Sequence, residues 1–480
     1  MTLGAVPVWA AILNVNINDP TCNDSTGIPC YCHIQPAVDD AAIDGDTVSV
    51  AAGTYDEQVI IDKSLTLQGA GATTIIQPSQ ATANGFLLFN RVADGANNTA
   101  GIIVAKDVPA PSVTIKDLKV DGSLITAGAG GADVLVGVFY RAAEGIIDNV
   151  IVTMTPIDST PDSGGMWLCP IDQTVTVEVK NCNVSTYCRN GITANEQGLT
   201  ANIHHNTING SGLTGDIPQN GIQIGFGASG RVNNNDVDNH AYNGTDWTAT
   251  GILFSDVPAG SGSADGNTLR DNQIGLVAER KEPGSSKVTF YGNTVNAPGL
   301  TGLPEDIVGI HLVTYNADAS LEADIARNQL TNGEDEGICV GTRTEHSPAG
   351  NIAATIANNT ISNWAHGIIL KSSVDSAYIR RNYIQNNPGD GSGIHVTANV
   401  DASKVHVNFN NITGNTVFGV YNHLNNDVLD AEYNWWGNAS GPSGEGSGTG
   451  DAVSTQVDYE PWLKSERKGA LPSWLLPLIL

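Results

Sequence analysis

Four segments of one pattern decide the fold of this 480-residue chain: Gly309-Ile310-His311-Leu312, Gly337-Ile338-Cys339-Val340, Gly367-Ile368-Ile369-Leu370 and Gly393-Ile394-His395-Val396. Equivalent glycines, each followed by Ile, Leu or Val, recur at intervals of 24 to 34 residues between Gly191 and Gly419. Self-similarity at a nearly constant period is typical of a stacked repeat architecture. The sequence therefore predicts a solenoid whose repeats each bury one face.

A second phrase, Asn followed two residues later by an apolar side chain, runs out of phase with the first from Asn206 to Asn410. The residues after each repeat Gly alternate between apolar and variable types, as in a strand with one buried face. Asn tolerates the left-handed conformation of a tight corner, and its amide can bond to the same amide one coil away. We expect coils of parallel strands about 4.8 Å apart, with the repeating Asn at the corners.

Three regions of the chain resemble the right-handed parallel β-helix of the pectin-lyase-like superfamily. They are the run from Ile34 to Ala42 with Gly53-Thr54-Tyr55-Asp56-Glu57, the central repeats, and Asn434-Trp435-Trp436-Gly437-Asn438. The resemblance implies an all-β, single-stranded right-handed parallel β-helix of about 10–13 coils, with an N-terminal capping helix. It does not imply one activity, because this fold carries lyases, hydrolases, esterases, epimerases and non-catalytic surface proteins.

The chain divides into four expected parts. Residues 1–10 are apolar and are interpreted as the remnant of a secretion signal, with an ordinary N-terminal strand as the alternative. Residues 11–33 form a Cys-containing segment, and residues 34–463 form the β-helix. Residues 464–480 form a tail that is a truncated anchor or sorting segment, or a strip that covers the last coil; it is too short to span a bilayer.

Composition restricts the partners. The chain has 22 basic and 50 acidic residues, hence a net charge of −28. Such a surface repels phosphate polymers and anionic lipid headgroups, so nucleic acid is an unexpected partner. We expect a monomer without a transmembrane span, secreted or held at the cell surface, whose partner is a polysaccharide or cell-surface glycan.

The seven cysteines suit an exported protein. Cys22 and Cys30 bracket a polar loop and are the first predicted disulfide. Cys182 and Cys188 are a possible second pair, with Cys169 and Cys32 as competing partners, and Cys339 is the expected free thiol. A zinc site at Cys30-x-Cys32-His33 is the alternative to the first disulfide, although its spacing matches no standard ligand pattern.

Residues at equal offsets from the repeat Gly stack into rows on a solenoid. The offset of a residue therefore predicts which side chains of the neighbouring coils lie next to it. Two residues after Gly, the outward row contains His311, Cys339, Ile369, His395 and Tyr421. The coils from Gly309 to Gly393 are the richest in titratable groups, and we expect the site there. The candidate catalytic residues are Lys371, Arg343, His311, His395, Glu336 and His366.

Two reactions fit these residues. Cleavage of an acidic glycan by β-elimination needs a cation for the uronate and a base for the C5 proton, and Lys371 could be that base if Arg343 lowers its pKa. A hydrolase would instead pair Glu334 or Glu336 with Asp390 across the sugar. The candidate residues for stacking on sugar rings are Trp364, Trp247 and Tyr421.

Ca²⁺ is the one candidate cofactor that the sequence suggests. Its predicted ligands are Asp306, Glu334 and Asp390, because Ca²⁺ prefers carboxylate and carbonyl oxygens.

The same residues also have an architectural interpretation. Outward His and Lys side chains are usually solvated, so Lys371 and Arg343 are expected to be surface groups, and Glu336 with His366 would form only a surface ion pair. The alternative function is therefore a non-catalytic surface protein, adhesin or filament-type β-helix.

Overall fold

The computed structural model describes residues 10–27, 30–42, 44–91, 98–154, 162–215, 217–245, 247–341, 350–388, 391–424 and 426–468. The chain forms two compact units. Unit 1 comprises residues 1–289 and 299–307, and unit 2 comprises residues 290–298 and 308–480. No helix among the described residues is long and apolar enough to cross a membrane.

Unit 1 begins with short strands and two helices, α1 (Ile34–Asp40) and α2 (Gln80–Ala83). Its first ten strands are β1 (Ile12–Val15), β2 (Cys30–Tyr31), β3 (Asp46–Val50), β4 (Gly53–Tyr55), β5 (Val59–Ile61), β6 (Leu65–Gln68), β7 (Thr74–Ile76), β8 (Leu88–Asn90), β9 (Asn98–Asp121) and β10 (Val134–Thr153). The following strands are β11 (Asp162–Cys169), β12 (Val175–Lys180), β13 (Asn183–Ser185), β14 (Asn190–Asn195), β15 (Leu199–His204), β16 (Thr207–Thr214), β17 (Asn220–Gly225), β18 (Ser229–Asn233), β19 (Asp236–Tyr242), β20 (Thr250–Ser255), β21 (Ala259–Asp265), β22 (Thr268–Arg270), β23 (Ile274–Arg280) and β24 (Gly284–Tyr291), whose last two residues belong to unit 2.

The remaining strands of unit 2 follow the same order of long and short elements. They are β25 (Thr294–Asn296), β26 (Val308–Thr314), β27 (Ala319–Ala326), β28 (Gln329–Thr331), β29 (Glu336–Val340), β30 (Asn351–Ala357), β31 (Thr360–Ser362), β32 (His366–Leu370), β33 (Val374–Arg380), β34 (Tyr383–Gln385), β35 (Ser392–Val396), β36 (Val405–Asn408), β37 (Asn411–Thr413), β38 (Phe418–Asn422), β39 (Leu429–Asp430), β40 (Pro442–Gly444), β41 (Gly450–Val453) and β42 (Val457–Asp458).

Each coil contributes one strand to each of three parallel sheets, and the parallel stacking agrees with the repeat pattern. In unit 2, sheet 1 contains the Gly-Ile strands β26, β29, β32, β35 and β38. Sheet 2 contains β27, β30, β33 and β36, and sheet 3 contains β28, β31, β34 and β37. Unit 1 repeats this arrangement, with β11, β14, β17, β20 and β23 in sheet 1. The chain has the right-handed parallel β-helix fold, so the predicted fold class is confirmed.

The register of sheet 1 stacks like residues. Ile310, Ile338, Ile368, Ile394 and Val420 are successive partners and are completely buried, because alternate side chains of each strand point into the coil. Ile369 follows Ile368 in β32 and belongs to the row that the sequence predicts to face outward. It is nevertheless buried, with 5% exposure.

Helix α1 caps the N-terminal coil, as predicted, and Ile34, Ala37 and Val38 are buried beneath it. The Glu57 carboxylate accepts hydrogen bonds from the backbone N–H groups of Ile34 (2.8 Å) and Gln35 (2.9 Å). These first-turn groups have no partner within the helix, so a carboxylate at this end stabilises it. The Gly53 to Glu57 phrase is therefore part of the cap.

The repeating Asn residues form buried hydrogen-bonded ladders, as the sequence predicts. In unit 2, each side-chain amide donates to the Oδ1 of the next rung at 2.9–3.1 Å. The same Oδ1 also accepts the backbone N–H of the preceding rung. The rungs are Asn293, Asn328, Asn359, Asn382, Asn410 and Asn434. In unit 1, Asn206, Asn235 and Asn267 are linked in the same way.

The left-handed corner lies one residue before each rung, so its predicted position at the repeating Asn is wrong. In unit 2, positive φ values of 57–66° belong to the preceding residues Gly292, Arg327, Asn358, Arg381, Phe409 and Tyr433. The backbone N–H and the side-chain amide of each rung both donate hydrogen bonds within the ladder. The turn at the preceding residue orients these two groups toward the next rung.

The cysteines agree with the sequence in part. Cys22 and Cys30 form the predicted disulfide. This excludes the alternative zinc site, because the sulfur of Cys30 is bonded to Cys22 and is not a thiolate ligand. The second predicted bridge is wrong, since Cys182 and Cys188 both remain thiols. The Cys182 thiol lies 3.1 Å from the Lys180 carbonyl oxygen, and burial raises its pKa to about 12.

A buried polar triad in unit 1 was not predicted. The His240 ring is fully buried; its Nδ1 lies 2.6 Å from Asn272 Oδ1, and its Nε2 hydrogen-bonds the Tyr187 hydroxyl. The Asn272 amide nitrogen donates to the Val237 carbonyl oxygen (2.7 Å), so Oδ1 must face the ring. Nδ1 therefore carries the imidazole proton, and burial lowers the pKa of His240 from 6.5 to about 4.

We expect this histidine to make unit 1 acid-labile. Between pH 6.5 and about 4, His240 is protonated in the unfolded state and neutral in the folded state. The free energy of unfolding therefore falls by about 3 kcal/mol as the pH falls through that window. Urea unfolding of unit 1 between pH 4 and 7.5 measures how the free energy of unfolding changes with pH. In His240→Gln this pH dependence should decrease by up to about 1.4 kcal/mol per pH unit. An unchanged slope would assign acid lability to other groups.

Candidate functional site

Sheet 1 of unit 2 brings together most of the predicted catalytic residues. His311 is the strand partner of Cys339, Cys339 of Ile369, Ile369 of His395, and His395 of Tyr421. Neighbouring residues of this outward row are therefore about 4.8 Å apart. Glu336 and His366 are partners in the row beside it. We call the surface formed by Glu336, His366, Lys371, His395 and Tyr421 the sheet 1 cluster.

The centre of the cluster is an ion pair rather than an isolated lysine. Lys371 Nζ lies 2.8 Å from Glu336 Oε1, and the two side chains are only 13% and 7% exposed. Burial raises the pKa of Glu336 and the Lys371 charge opposes that shift. The second oxygen, Glu336 Oε2, has no hydrogen-bond partner within the described chain. The pair supplies a cation and a carboxylate with one open acceptor, whereas the sequence predicts solvated groups.

His395 is held neutral beside this pair. Burial, followed by the charges of His366, His423 and Lys371, lowers the pKa of His395 to about 4. Its ring centroid lies 5.0 Å from that of His366 and 5.5 Å from that of His423. Neither ring nitrogen has a hydrogen-bond partner among the residues that the structure describes. At neutral pH this ring can therefore donate one hydrogen bond and accept another.

Aromatic rings continue the row on the next coil. The His395 and Tyr421 rings stack at 4.9 Å, and Phe418 stacks on Tyr421 at 4.8 Å with an interplanar angle of 12°. His423 stacks on the Tyr421 ring at 4.9 Å. Tyr421 therefore lies in the cluster as predicted. Phe418 and His423 were missed, although the offsets one residue before and four after the repeat Gly contain them.

His311 and Cys339 lie at the other end of the row and are less suited to proton transfer. His311 Nε2 lies 3.1 Å from the Gly341 carbonyl oxygen, so this nitrogen carries the proton, and burial lowers the pKa of His311 to about 4. Burial raises the pKa of Cys339 to about 12, so it remains the thiol that the sequence predicts.

His366 also differs from its predicted pairing. Its Nδ1 accepts a hydrogen bond from the Ser392 backbone N–H at 3.2 Å, while the Glu336 carboxylate is paired with Lys371. The predicted surface ion pair between Glu336 and His366 is therefore replaced by the buried pair with Lys371.

Trp364 is not a sugar platform. Its side chain is completely buried, and a Cβ added at Gly333 would collide with its ring. The indole fills the space that glycine leaves in the neighbouring coil, so this prediction is wrong. Trp247 is 65% exposed but belongs to unit 1.

The residues predicted to bind Ca²⁺ belong to both units. Asp306 belongs to unit 1, Glu334 is exposed in unit 2, and Asp390 lies outside the described residues. Arg343, the predicted partner of Lys371, also lies outside them. The calcium site and the role of Arg343 stay predictions.

Comparisons with known proteins agree on the fold. Residues 162–330 match the family model described as a right handed beta helix region. The family 28 exopolygalacturonase of Yersinia enterocolitica is 13% identical over 85% of this chain and 80% of its own, with a TM-score of 0.52. The catalytic unit of the GH87 α-1,3-glucanase of Streptomyces thermodiastaticus is 14% identical over 98% and 72%, with a TM-score of 0.45. A comparison with curated proteins finds no match. At 13% identity the exopolygalacturonase supports the fold alone.

Proposed function

We propose that this protein binds a polysaccharide along the sheet 1 cluster of unit 2 and hydrolyses it there. The observation that carries the proposal is the row of stacked rings at His395 and Tyr421 next to the buried Lys371–Glu336 pair. Apolar ring surface beside a few convergent polar groups is the usual composition of a ligand site.

A glycan matches both halves of this surface. The C–H faces of a sugar pack on aromatic rings, and its hydroxyl groups both donate and accept hydrogen bonds. The two unpartnered nitrogens of His395 and the open Glu336 Oε2 need such groups once water is displaced. The known glycan-active neighbours named above have the same fold, which is compatible with this substrate class but does not select a sugar.

Hydrolysis fits the cluster better than β-elimination. To act as the base that the sequence predicts, Lys371 would have to be a neutral amine, and the neighbouring Glu336 carboxylate favours its ammonium form instead. Glu336 is itself suited to donate a proton, because burial raises its pKa. A glycosidase also needs a second carboxylate, for which Glu334 and Asp390 are the candidates.

A non-catalytic glycan-binding surface protein is the second candidate. The same ion pair favours it, because the Lys371 ammonium at 2.8 Å stabilises the ionised form of Glu336, which has no proton to donate. For either candidate we propose an extracellular or cell-surface location, which the Cys22–Cys30 disulfide supports.

The test is a panel of neutral and acidic polysaccharides, assayed for binding and for new reducing ends. Tyr421→Leu should weaken binding about tenfold, since a lost ring contact is worth roughly 1 kcal/mol or more. The matched control is Tyr378→Leu, because Tyr378 stacks on His406 on sheet 2 of the same unit and is 47% exposed. Equal losses in both variants, or no glycan binding by the parent protein, would overturn the proposal.

Glu336→Gln separates the two candidates. It keeps the shape of the side chain and removes its proton, so hydrolysis should be lost while binding persists. Unsaturated products that absorb in the ultraviolet would indicate a lyase and refute the hydrolase assignment. Binding without any cleavage by the parent protein would establish the non-catalytic candidate.

A further inference from the structure

Two histidines face each other at the surface of unit 1. His204 ends β15, and His205 follows it at a left-handed corner, with φ at 56°. His204 Nδ1 lies 2.8 Å from His205 Nδ1, and the two ring planes are nearly perpendicular, at 86°. Two ring nitrogens at this distance share one proton, because one of them must donate and the other accept. The pair therefore presents two imidazole nitrogens to one small volume.

The neighbouring strand β12 fixes the proton on the far side of the His204 ring. Glu178 Oε1 lies 3.0 Å from His204 Nε2, and Lys180 Nζ lies 2.7 Å from Glu178 Oε2. A carboxylate paired with an ammonium group only accepts hydrogen bonds, so His204 Nε2 carries a proton. The neutral form of this ring has its lone pair on Nδ1, the nitrogen that faces His205.

This arrangement is the one that orients histidines that bind metal ions. A metal-bound imidazole usually donates its other N–H to a carboxylate or a carbonyl, which holds the ring and makes the ligating nitrogen more basic. Glu178 is such a partner for His204. The strand register places it there, because His204 pairs with Lys180, and Glu178 lies on the same outer face of β12.

The fold does not require a histidine at position 205. The same left-handed corner is occupied by Asn181 one coil before and by Asn234 one coil after. The His205 side chain is exposed, and the one hydrogen bond of its ring to the part of the chain that the structure describes is the contact with His204. The His205 ring can therefore rotate about the corner without breaking the coil.

We propose that His204 Nδ1 and His205 Nδ1 bind a divalent transition-metal ion in place of the proton that they share, which leaves to solvent. Imidazole nitrogen suits Cu²⁺, Ni²⁺ and Zn²⁺, whereas Ca²⁺ and Mg²⁺ prefer oxygen ligands. The charge of Lys180 does not stand alone beside the ion, because Glu178 pairs with it. The site lies in unit 1 and does not depend on the function proposed for unit 2.

The distance between the two nitrogens selects among these ions. Two nitrogens that each lie about 2.0 Å from an ion are about 2.9 Å apart at a right angle and about 3.3 Å apart in a tetrahedron. The observed 2.8 Å is close to the right angle. Cu²⁺ and Ni²⁺, which accept square-planar ligands, therefore fit this pair better than the tetrahedral Zn²⁺. Water completes the coordination.

Titration of the untagged full chain with Ni²⁺, Zn²⁺ and Mg²⁺, together with electron paramagnetic resonance of its Cu²⁺ complex, tests the proposal. We expect Ni²⁺ to bind more tightly than Zn²⁺, no Mg²⁺ at this site, and nitrogen couplings in the Cu²⁺ spectrum. His205→Asn should weaken Ni²⁺ binding at least tenfold and reduce the nitrogen couplings. Asn is the residue that neighbouring coils have at this corner, so the variant should melt like the parent without metal. Unchanged Ni²⁺ binding would overturn the site, and tighter binding of Zn²⁺ than of Ni²⁺ would overturn its planar geometry.

A second variant and a control separate this pair from other surface histidines. Glu178→Gln keeps both ligands and removes the carboxylate behind His204, so Ni²⁺ affinity should fall about tenfold. The control is His406→Asn in unit 2, because His406 is a surface histidine with its own carboxylate, 2.9 Å from Asp430 Oδ2, but its ring stacks on Tyr378. This control should bind Ni²⁺ as the parent does. An equal loss in His406→Asn and His205→Asn would assign the binding to scattered histidines and refute the paired site.

Discussion

Replacing Asn382 with Ala is expected to lower the free energy of unfolding of unit 2 by about 3–5 kcal/mol. Asn382 donates to the Ile356 carbonyl oxygen and to Asn410 Oδ1, and its own Oδ1 accepts both the backbone N–H and the amide of Asn359. All three asparagines are buried, so no water replaces the lost partners. Urea denaturation measures the loss in the free energy of unfolding, and hydrogen exchange of residues 351–385 shows whether that coil opens first.

Asn296→Ala is the matched control for the ladder. Asn296 accepts hydrogen bonds from Thr331 Oγ1 (3.3 Å) and Asn332 Nδ2 (3.0 Å) near the surface of the same unit. Water can take its place there, so the cost should stay below about 1 kcal/mol. Similar costs for both substitutions would mean that the buried ladder contributes no more than surface amides do.

Replacing Lys371 with Ala is the second large expected effect, again about 3–5 kcal/mol, because it leaves Glu336 as a buried charge without its cation. The sequence alone predicts a surface lysine whose removal barely changes the melting temperature. Thermal and urea unfolding of Lys371→Ala, Lys371→Met, Glu336→Gln and the double variant Lys371→Met with Glu336→Gln measure the loss and the coupling. The double variant should recover most of the loss.

The pH dependence of Lys371→Ala provides an independent check. Burial raises the pKa of Glu336 above its ordinary value of 4.5, and removing Lys371 raises it further. The unfolded state then releases the proton at lower pH than the folded state, so stability is lost as the pH rises above about 4.5. The variant should therefore approach the parent at pH 5 and fall furthest below it at pH 8. A pH-independent loss would point to packing rather than charge.

The sequence predicts the strands and the asparagine ladders well, because both depend on residues one coil apart. Ile338, Ile368 and Ile394 share one offset from Gly, and stacking equal offsets is all that their register requires. The left-handed corners were misplaced by one residue because Asn suits both roles, and only the backbone shows that Arg381 turns while Asn382 pairs.

The candidate site is predicted less completely, because its long side chains cross between rows. Lys371 follows its repeat Gly by four residues and Glu336 precedes the previous one by one, yet their tips are 2.8 Å apart. Glu336 and His366 share one offset from the repeat Gly, so the sequence pairs these two residues instead. Trp364 was misjudged for a related reason: its burial depends on the space that Gly333 leaves in another coil.

The asparagine ladder also determines which of several pairings a coil can adopt while the chain winds. Alternating apolar residues distinguish inward from outward positions only, so a coil that slips by two residues keeps every apolar side chain inside. The ladder does not tolerate this slip, because Asn359 would then face Arg380 or Ile384 instead of Asn382 Oδ1. Hydrophobic alternation thus sets the parity of each strand, and one amide per coil sets its absolute alignment.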